Sequence, residues 1–184
     1  MLGEHPRARA ATFEPAFSHT GIDYFRPFHT TTGTRNRTSK HWGVIFTCLT
    51  SRAIHLDIVD SLSMDACINA LERFLSQYAD ATIAFYSDNG TNFQGTDNAM
   101  KRMHDKNLHH EFQRYFRPRR ISWHFNTPSS TSQGGAWERL IRSVRRLLSN
   151  LLVDPQILPI KPDYLCTMLV GAQKILNAHP LTPL

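Results

Sequence analysis

The chain has 184 residues, 41% of them apolar, and a net charge of +6 at pH 7 with an isoelectric point near 9.5. This length and composition predict one folded domain with a sizeable core and exclude a disordered chain. No apolar run approaches the roughly 20 residues of a membrane helix. The N-terminal segment has no apolar core of the kind that a secretory signal needs. The positive charge is compatible with a polyanionic partner.

The three cysteines, Cys48, Cys67 and Cys166, lie far apart in the sequence and form no CxxC pair. This spacing supports neither a disulfide framework nor a zinc knuckle. We expect them to be reduced residues that serve in packing.

The first third of the sequence predicts three consecutive strands after a short linker. Residues 1–16 are predicted as that linker or tail. Strands are predicted at 17–28, 42–50 and 52–59, and the third alternates apolar with polar residues. The polar, glycine-containing segment 30–40 is predicted as the turn between the first two strands.

The period of the apolar residues then changes from that of a strand to that of a helix. Ser63 is a predicted N-cap, and apolar residues recur at helical spacing from there to Tyr78. Strands followed by alternating strands and helices predict a mixed sheet with helices on its faces. The remaining predicted elements are a strand at 81–86, helix and loop at 91–116, a strand at 119–125, a polar loop at 126–135, a long helix at 136–152 and a final helix at 163–178.

Two aspartates stand where an apolar strand does not favour them. Asp23 interrupts the first strand, and Asp88 directly follows the strand 81–86. Strand interiors disfavour aspartate, and sites in alternating α/β chains collect where strands end. Asp23 on a solvent-facing position and Asp88 as an ordinary turn residue are the alternative interpretations.

A third acid, Glu138, lies in the first turn of the predicted helix 136–152. At about 100° per residue, Arg142 and Arg145 fall on the same side of this helix as Glu138, and the apolar residues fall on the other. An exposed i,i+4 salt bridge is one explanation of this column. The helix dipole also favours a carboxylate in the first turn.

Together the three acids fit one mechanism. Carboxylate ligands alone suit Mg²⁺ or Mn²⁺ better than zinc, and two such ions can activate an attacking oxygen and stabilise a leaving one in phosphoryl transfer. Between Arg114 and Arg146 there are eight arginines, no lysine and no acid except Glu138. Arginines of this density suit contacts with a phosphate backbone.

Several ordered motifs of the chain resemble the integrase catalytic core of retroviruses and LTR retrotransposons, with the closest likeness to the Bel/Pao group. The resemblance covers residues 17–184 and implies an α/β, ribonuclease H-like fold: a five-stranded mixed sheet flanked by helices. The motifs that carry it are "GIDYFRPF", "WGVIFTCLTSRAIHLDIV", "YSDNGTNF", "WHFNTPSSTSQGGAWERLIRSVRRLL" and "ILNAHPLTPL".

The resemblance also implies a function and the residues that perform it. It implies 3′-end processing of element DNA and transfer of those ends into target DNA, with two Mg²⁺ (or Mn²⁺) ions. It further implies a homo-oligomer, at least a dimer, and action in the nucleus, reached from a cytoplasmic virus-like particle or preintegration complex. The catalytic and metal-binding triad falls on Asp23, Asp88 and Glu138, and the expected DNA contacts fall on Arg142, Arg145, Arg146, Asn89, Ser132 and Gln133.

Two other functions remain open from the sequence. One is a non-catalytic DNA-binding or assembly module that derives from a degraded or host-adopted integrase. The other is a ribonuclease H that acts on RNA–DNA hybrids with the same fold and metals. The sequence lacks the zinc-binding and C-terminal DNA-binding domains of integrases, so we expect it to be a fragment of a longer polyprotein.

Overall fold

The computed structural model describes residues 14–32, 37–78, 80–88, 94, 121–125, 146 and 160–178. Five strands form one sheet in the order β3-β2-β1-β4-β5. The first three strands pair antiparallel, and β4 pairs parallel with both β1 and β5. The predicted mixed sheet with helices is confirmed. Its elements are β1 His19–Thr32, β2 Arg37–Cys48, β3 Ile54–Val59, α1 Met64–Tyr78, β4 Ala84–Ser87, β5 Ser122–Phe125 and α2 Pro162–Ala178.

The predicted turn at 30–40 is too long. β1 continues to Thr32 and β2 already begins at Arg37, so most of this polar segment is paired strand. The polarity and the glycine at position 33 indicate a turn, but the β-branched threonines at 30–32 and 38 favour extended backbone. The other predicted strands and the final helix agree with the structure within a few residues, whereas the predicted helix 136–152 lies outside the described residues except for Arg146.

The start of α1 is fixed as predicted. Ser63 Oγ accepts a hydrogen bond from the Ala66 backbone N–H at 3.2 Å, which is the bond of an N-cap. The apolar side of the helix then packs on the sheet, where Phe74 stacks on Phe46 with ring centroids 4.3 Å apart. No helix among the described residues is long and apolar enough to cross a membrane.

The sheet separates two apolar cores. On one side, α1 covers Ile22, Val44, Phe46 and Phe85. On the other side, α2 covers a second cluster, which comprises Phe25, Phe28, Ile45, Ile54, Leu56, Ile160, Leu165, Leu169 and Ala172. Successive strand residues face opposite sides, so β1 contributes Ile22 to one core and Phe25 to the other, and β2 contributes Val44 and Ile45 in the same way. Cys48 and Cys67 are buried, Cys166 is exposed, and all three thiols are free.

Gly43 in β2 makes room for the aromatic ring of its partner across the sheet. Phe25 pairs with Gly43, and its ring is 1% exposed. A Cβ atom on residue 43 would overlap the Phe25 ring. The glycine is therefore a packing requirement of the α2-side core.

Side-chain amides of α2 bind the outer edge of β3. The backbone N–H of Ile54 donates to Asn177 Oδ1, and the Asn177 amide donates back to the Ile54 carbonyl oxygen, both at 2.8 Å. Gln173, one turn earlier, accepts from the backbone N–H of Leu56 at 2.8 Å. On the same edge, Arg73 donates to the Ile58 carbonyl oxygen at 3.0 Å. These bonds occupy backbone groups that an edge strand would otherwise present to other chains.

His55 lies within the α1-side core. Its ring packs against Phe46, Phe74 and Tyr78, and its Nδ1 has no hydrogen-bond partner within the described part of the chain. Burial lowers the pKa of His55; Asp57 opposes this effect and Arg73 adds to it. The neutral imidazole is thus the form that the fold stabilises.

We expect Gly43→Ala to lower the free energy of unfolding by about 1–3 kcal/mol, because the methyl group overpacks the core against Phe25. Gly171→Ala is the control, since nothing lies within 4 Å of a Cβ at that position of α2. In a helix interior this change should stabilise by about 0.5–1 kcal/mol. Urea unfolding measures both, and equal effects at the two positions would contradict the packing role of Gly43.

His55 also makes stability depend on pH. Because the folded-state pKa lies below the ordinary value of 6.5, the unfolded chain takes up this proton first, and stability falls as the pH drops below about 6.5. One proton gives a slope of at most about 1.4 kcal/mol per pH unit. We expect His55→Phe to flatten the decline between pH 7 and 5 in urea unfolding; an unchanged slope would assign the decline to other groups.

Candidate functional site

Asp23 lies in the first half of β1, on the face of the sheet that α2 covers elsewhere. Its neighbours Ile22 and Tyr24 pack into the α1-side core, and Phe25 packs into the other. Alternation along the strand therefore places Asp23 on the same face as Phe25. The Tyr24 backbone N–H donates to Asp23 Oδ1 at 2.7 Å, which fixes one carboxylate oxygen close to the strand.

The parallel pairing of β1 with β4 ends two residues before each of the two predicted aspartates. The register pairs His19 with Ala84 and Gly21 with Tyr86, and β4 ends at Ser87. If the same register continued for two more residues, Asp23 and Asp88 would lie opposite each other. Neighbouring strands are about 4.8 Å apart, so we expect the two aspartates to lie close together at this edge of the pairing. Asp88 is exposed and Asp23 is partly buried.

The backbone at Asp88 is held by a hydrogen-bonded chain from β5. Trp123 Nε1 donates to Ser87 Oγ at 2.9 Å, and Ser87 Oγ donates to the carbonyl oxygen of Asp88 at 2.9 Å. Ser87 is fully buried. Two side chains thus fix the point at which the chain leaves β4, immediately at the predicted ligand.

A row of rings extends from the acid pair along the same face of the sheet. His19 Nδ1 lies 3.2 Å from the Tyr86 hydroxyl, and the Tyr86 ring stacks on that of His124 with centroids 4.8 Å apart and planes 19° apart. His19 Nε2 lies 3.0 Å from a Glu14 carboxylate oxygen. Burial and the Glu14 charge raise the pKa of Tyr86. The phenol therefore remains neutral and available as a hydrogen-bond donor.

The other predicted site residues lie outside the described residues, except for Arg146, which is exposed. Glu138, Arg142, Arg145, Asn89, Ser132 and Gln133 all belong to this undescribed group. Among the residues that the structure describes, no three His, Cys, Asp or Glu side chains form a group that could hold a metal ion. Asp23 and Asp88 are thus described by the structure, and the metal-binding triad of Asp23, Asp88 and Glu138 stays a prediction.

None of the protein-family models matches this sequence, and no curated protein matches it. The solved structures give a clear result. One similar structure is the integrase catalytic core domain of HTLV-2 in complex with magnesium, in its dimeric form. The alignment covers 91% of this chain and 90% of the HTLV-2 chain, with a TM-score of 0.56 and 18% sequence identity. The chain has the fold of a retroviral integrase catalytic core.

Two further structures carry the same fold. The trimeric form of the HTLV-2 core with magnesium has a TM-score of 0.56 over 92% of this chain and 90% of its own, at 18% identity. An intasome of simian T-cell lymphotropic virus in complex with the PP2A regulatory subunit B56 gamma has a TM-score of 0.56 over 92% of this chain and 57% of that one, at 14% identity. At such low identity the likeness establishes the ribonuclease H-like fold, and a closest relation to the Bel/Pao group stays a prediction.

Ser87, Trp123 and the ring row were not among the residues predicted from the sequence. Tyr86 lies two residues before Asp88, and His19 lies four before Asp23, so strand alternation alone places each of them on the face of its acid. That signal was available in the sequence. The bond between Trp123 and Ser87 was not, because it depends on the parallel register of β4 and β5, which pairs Ser87 with Phe125.

We expect Ser87→Ala to lower the free energy of unfolding by about 1–2 kcal/mol, because the change removes the acceptor of Trp123 and the donor to Asp88. Ser122→Ala is the matched control. Its hydroxyl contacts His124 at an exposed position of β5, and its loss should change stability by less than about 0.5 kcal/mol. Urea unfolding measures both variants. Equal losses of unfolding free energy would show that the two hydrogen bonds of Ser87 Oγ do not stabilise the end of β4.

Proposed function

We propose that this chain is the catalytic core of an integrase, a polynucleotidyl transferase that processes the 3′ ends of element DNA and joins them to target DNA. The observation that supports the proposal is the β1–β4 register, whose continuation by two residues would set Asp23 opposite Asp88, within a fold shared with retroviral integrase cores. A structural neighbour of this fold is a complex with magnesium, the ion that oxygen-only ligands favour.

The donor set of the described residues fits a hard divalent cation. The two proposed ligands, Asp23 and Asp88, are both carboxylates, so they supply oxygen atoms and neither a thiol nor an imidazole. Bound Mg²⁺ would polarise the phosphate and activate the attacking oxygen, and a second ion would serve the leaving oxygen. We propose that Asp23 and Asp88 bind the ions and that Glu138 completes the ligand set.

The chain itself then has two tasks in the reaction. The first is to fix the two aspartates: the Tyr24 backbone N–H donates to the Asp23 carboxylate, and Ser87 Oγ donates to the backbone carbonyl oxygen of Asp88. The second is to hold the DNA. For this task we propose phosphate contacts from Arg142, Arg145 and Arg146, and contacts around the reacting end from Asn89, Ser132 and Gln133. No protein nucleophile is required, since water attacks in processing and a DNA 3′-hydroxyl attacks in joining.

The assembly and the site of action follow as proposals from the same assignment. Two of the structural neighbours are dimeric and trimeric forms of an integrase core, and the third is an intasome. We propose that this chain also works as an oligomer, at least a dimer, on element-end and target DNA in the nucleus.

We expect Asp23→Asn to abolish Mg²⁺-dependent joining of element-end duplexes and to remove stabilisation by Mn²⁺. Adjacent carboxylates repel each other without a cation, so in EDTA the variant should unfold at the same temperature as the wild type or higher. In MnCl₂ at about 100 times its dissociation constant, only the wild type should gain about 2.7 kcal/mol. Thermal unfolding with MnCl₂ and with EDTA measures this.

Asp60→Asn is the matched control, since it removes the same charge from an exposed position after β3 and should keep both joining and the Mn²⁺ effect. Stabilisation of the Asp23 variant by Mn²⁺ equal to that of the wild type would disprove the assignment. DNA binding without a metal effect in the wild type would favour the non-catalytic module. Cleavage of RNA–DNA hybrids without DNA joining would favour a ribonuclease H.

A further inference from the structure

The first two strands extend well past the rest of the sheet. β3 pairs with β2 only as far as Trp42, and β4 pairs with β1 only at residues 19–21. Beyond these limits residues 28–32 pair with 37–41 in five consecutive positions. At about 3.3 Å per residue this β1–β2 ribbon (residues 28–32 and 37–41) is about 16 Å long.

The ribbon is firmly attached along one face and one edge. Phe28 and Thr30 are buried, and Phe28 belongs to the α2-side core. The backbone N–H of Thr31 donates to the Ile160 carbonyl oxygen at 2.9 Å, next to the start of α2. These contacts attach the ribbon to the α2-side core and to the segment before α2. The opposite face of the ribbon takes no part in them.

The opposite face is open and carries a cation on an aromatic ring. Lys40 Nζ lies 4.9 Å from the centre of the Trp42 ring, and Trp42 itself packs against the α1-side core. Lys40, His29 and Thr38 are exposed. Three cross-strand pairs make up this face: Pro27 with Trp42, His29 with Lys40, and Thr31 with Thr38.

The sequence around the ribbon has one sign of charge. Between Asp23 and Asp57 there is no acidic residue, although the interval carries basic residues on both sides of the ribbon and within it. A face with lysine, histidine and threonine hydroxyls, and without a carboxylate in residues 28–32 or 37–41, is complementary to phosphate. The basic residues of the interval are Arg26, Arg35, Arg37, Lys40 and Arg52.

We propose that the open face of the β1–β2 ribbon is a docking surface for duplex DNA, separate from the predicted active site. A two-stranded ribbon fits the major groove of B-DNA, which is about 12 Å wide. The choice of DNA among polyanions rests on the proposed function. β1 runs from Asp23 into the ribbon, and His29 lies about 20 Å farther along the strand. That distance corresponds to about six base pairs from the reacting phosphate.

The test compares Lys40→Ala with Lys174→Ala, each of which removes one exposed lysine. Because each variant loses one lysine, the two have the same net charge. They differ in position, since Lys174 is on α2, away from the ribbon. Affinity for a labelled 30-base-pair duplex is measured by fluorescence anisotropy in EDTA at several salt concentrations. We expect Lys40→Ala to weaken binding about 3- to 10-fold and to reduce the salt slope by about one ion, and we expect Lys174→Ala to match the wild type.

Lys40→Arg should retain the wild-type affinity, because arginine keeps both the phosphate contact and the position over Trp42. Equal salt slopes for Lys40→Ala and Lys174→Ala would overturn the proposal. So would a Lys40 effect seen with single-stranded DNA or polyaspartate as strongly as with the duplex. Circular dichroism confirms that each variant is folded.

The experiments distinguish failure of the ribbon proposal from failure of the proposed function. The anisotropy is measured without a divalent ion, so the comparison of Lys40→Ala with Lys174→Ala does not depend on metal binding at Asp23 and Asp88. If Asp23→Asn keeps the Mn²⁺ stabilisation but Lys40→Ala weakens duplex binding, only the integrase assignment fails. If Asp23→Asn loses that stabilisation and Lys40→Ala behaves like Lys174→Ala, only the ribbon proposal fails.

Discussion

The parallel pairing of β1 with β4 is the constraint on which the candidate site depends. β1 is already paired with β2 on its other edge, so the position of β4 is set by backbone hydrogen bonds along β1 and by Phe85 in the α1-side core. A slip of one residue in this register would turn Tyr86 and Asp88 to the opposite face. The burial of Phe85 therefore also fixes the face of the sheet on which its neighbour Tyr86 lies.

The two sides of the sheet serve different purposes, although both carry a core. The α1 side is apolar across β2, β1 and β4 and forms a network of rings around Phe74. The other side is apolar under α2 but becomes polar toward β4 and β5, where Asp23, His19, Tyr86 and His124 follow one another. The polar side chains thus lie on the side of the sheet opposite to the ring network around Phe74.

The strands and the helices α1 and α2 could be predicted from the sequence because the periodicity of their apolar residues is strong. Asp23 and Asp88 could be identified as exceptions to those periods, since a carboxylate at a strand centre or strand end interrupts a regular pattern. The extent of the ribbon could not be predicted. Its threonines are polar and glycine 33 lies between them, so the pattern indicates a turn, and only cross-strand pairing shows that the backbone is extended.

Tertiary packing decided the features that the sequence concealed. The sequence of β2 alone does not explain Gly43, because the reason for a glycine is the Phe25 ring that lies over it from β1. Ser87 reads as an ordinary strand residue until the register of β5 brings the Trp123 indole to it. Both depend on contacts between strands that are distant in sequence, and no single-strand pattern encodes such contacts.

The amides of Gln173 and Asn177 have a consequence for where this domain can be cut. They join residues near the C-terminal end of the described chain to a strand formed more than a hundred residues earlier. A shortened version that stops within α2, before Asn177, would uncover the N–H and carbonyl of Ile54 at the rim of the sheet. Such a truncation would present a ready template for pairing between molecules, so we expect soluble expression of the domain to require the last turn of this helix.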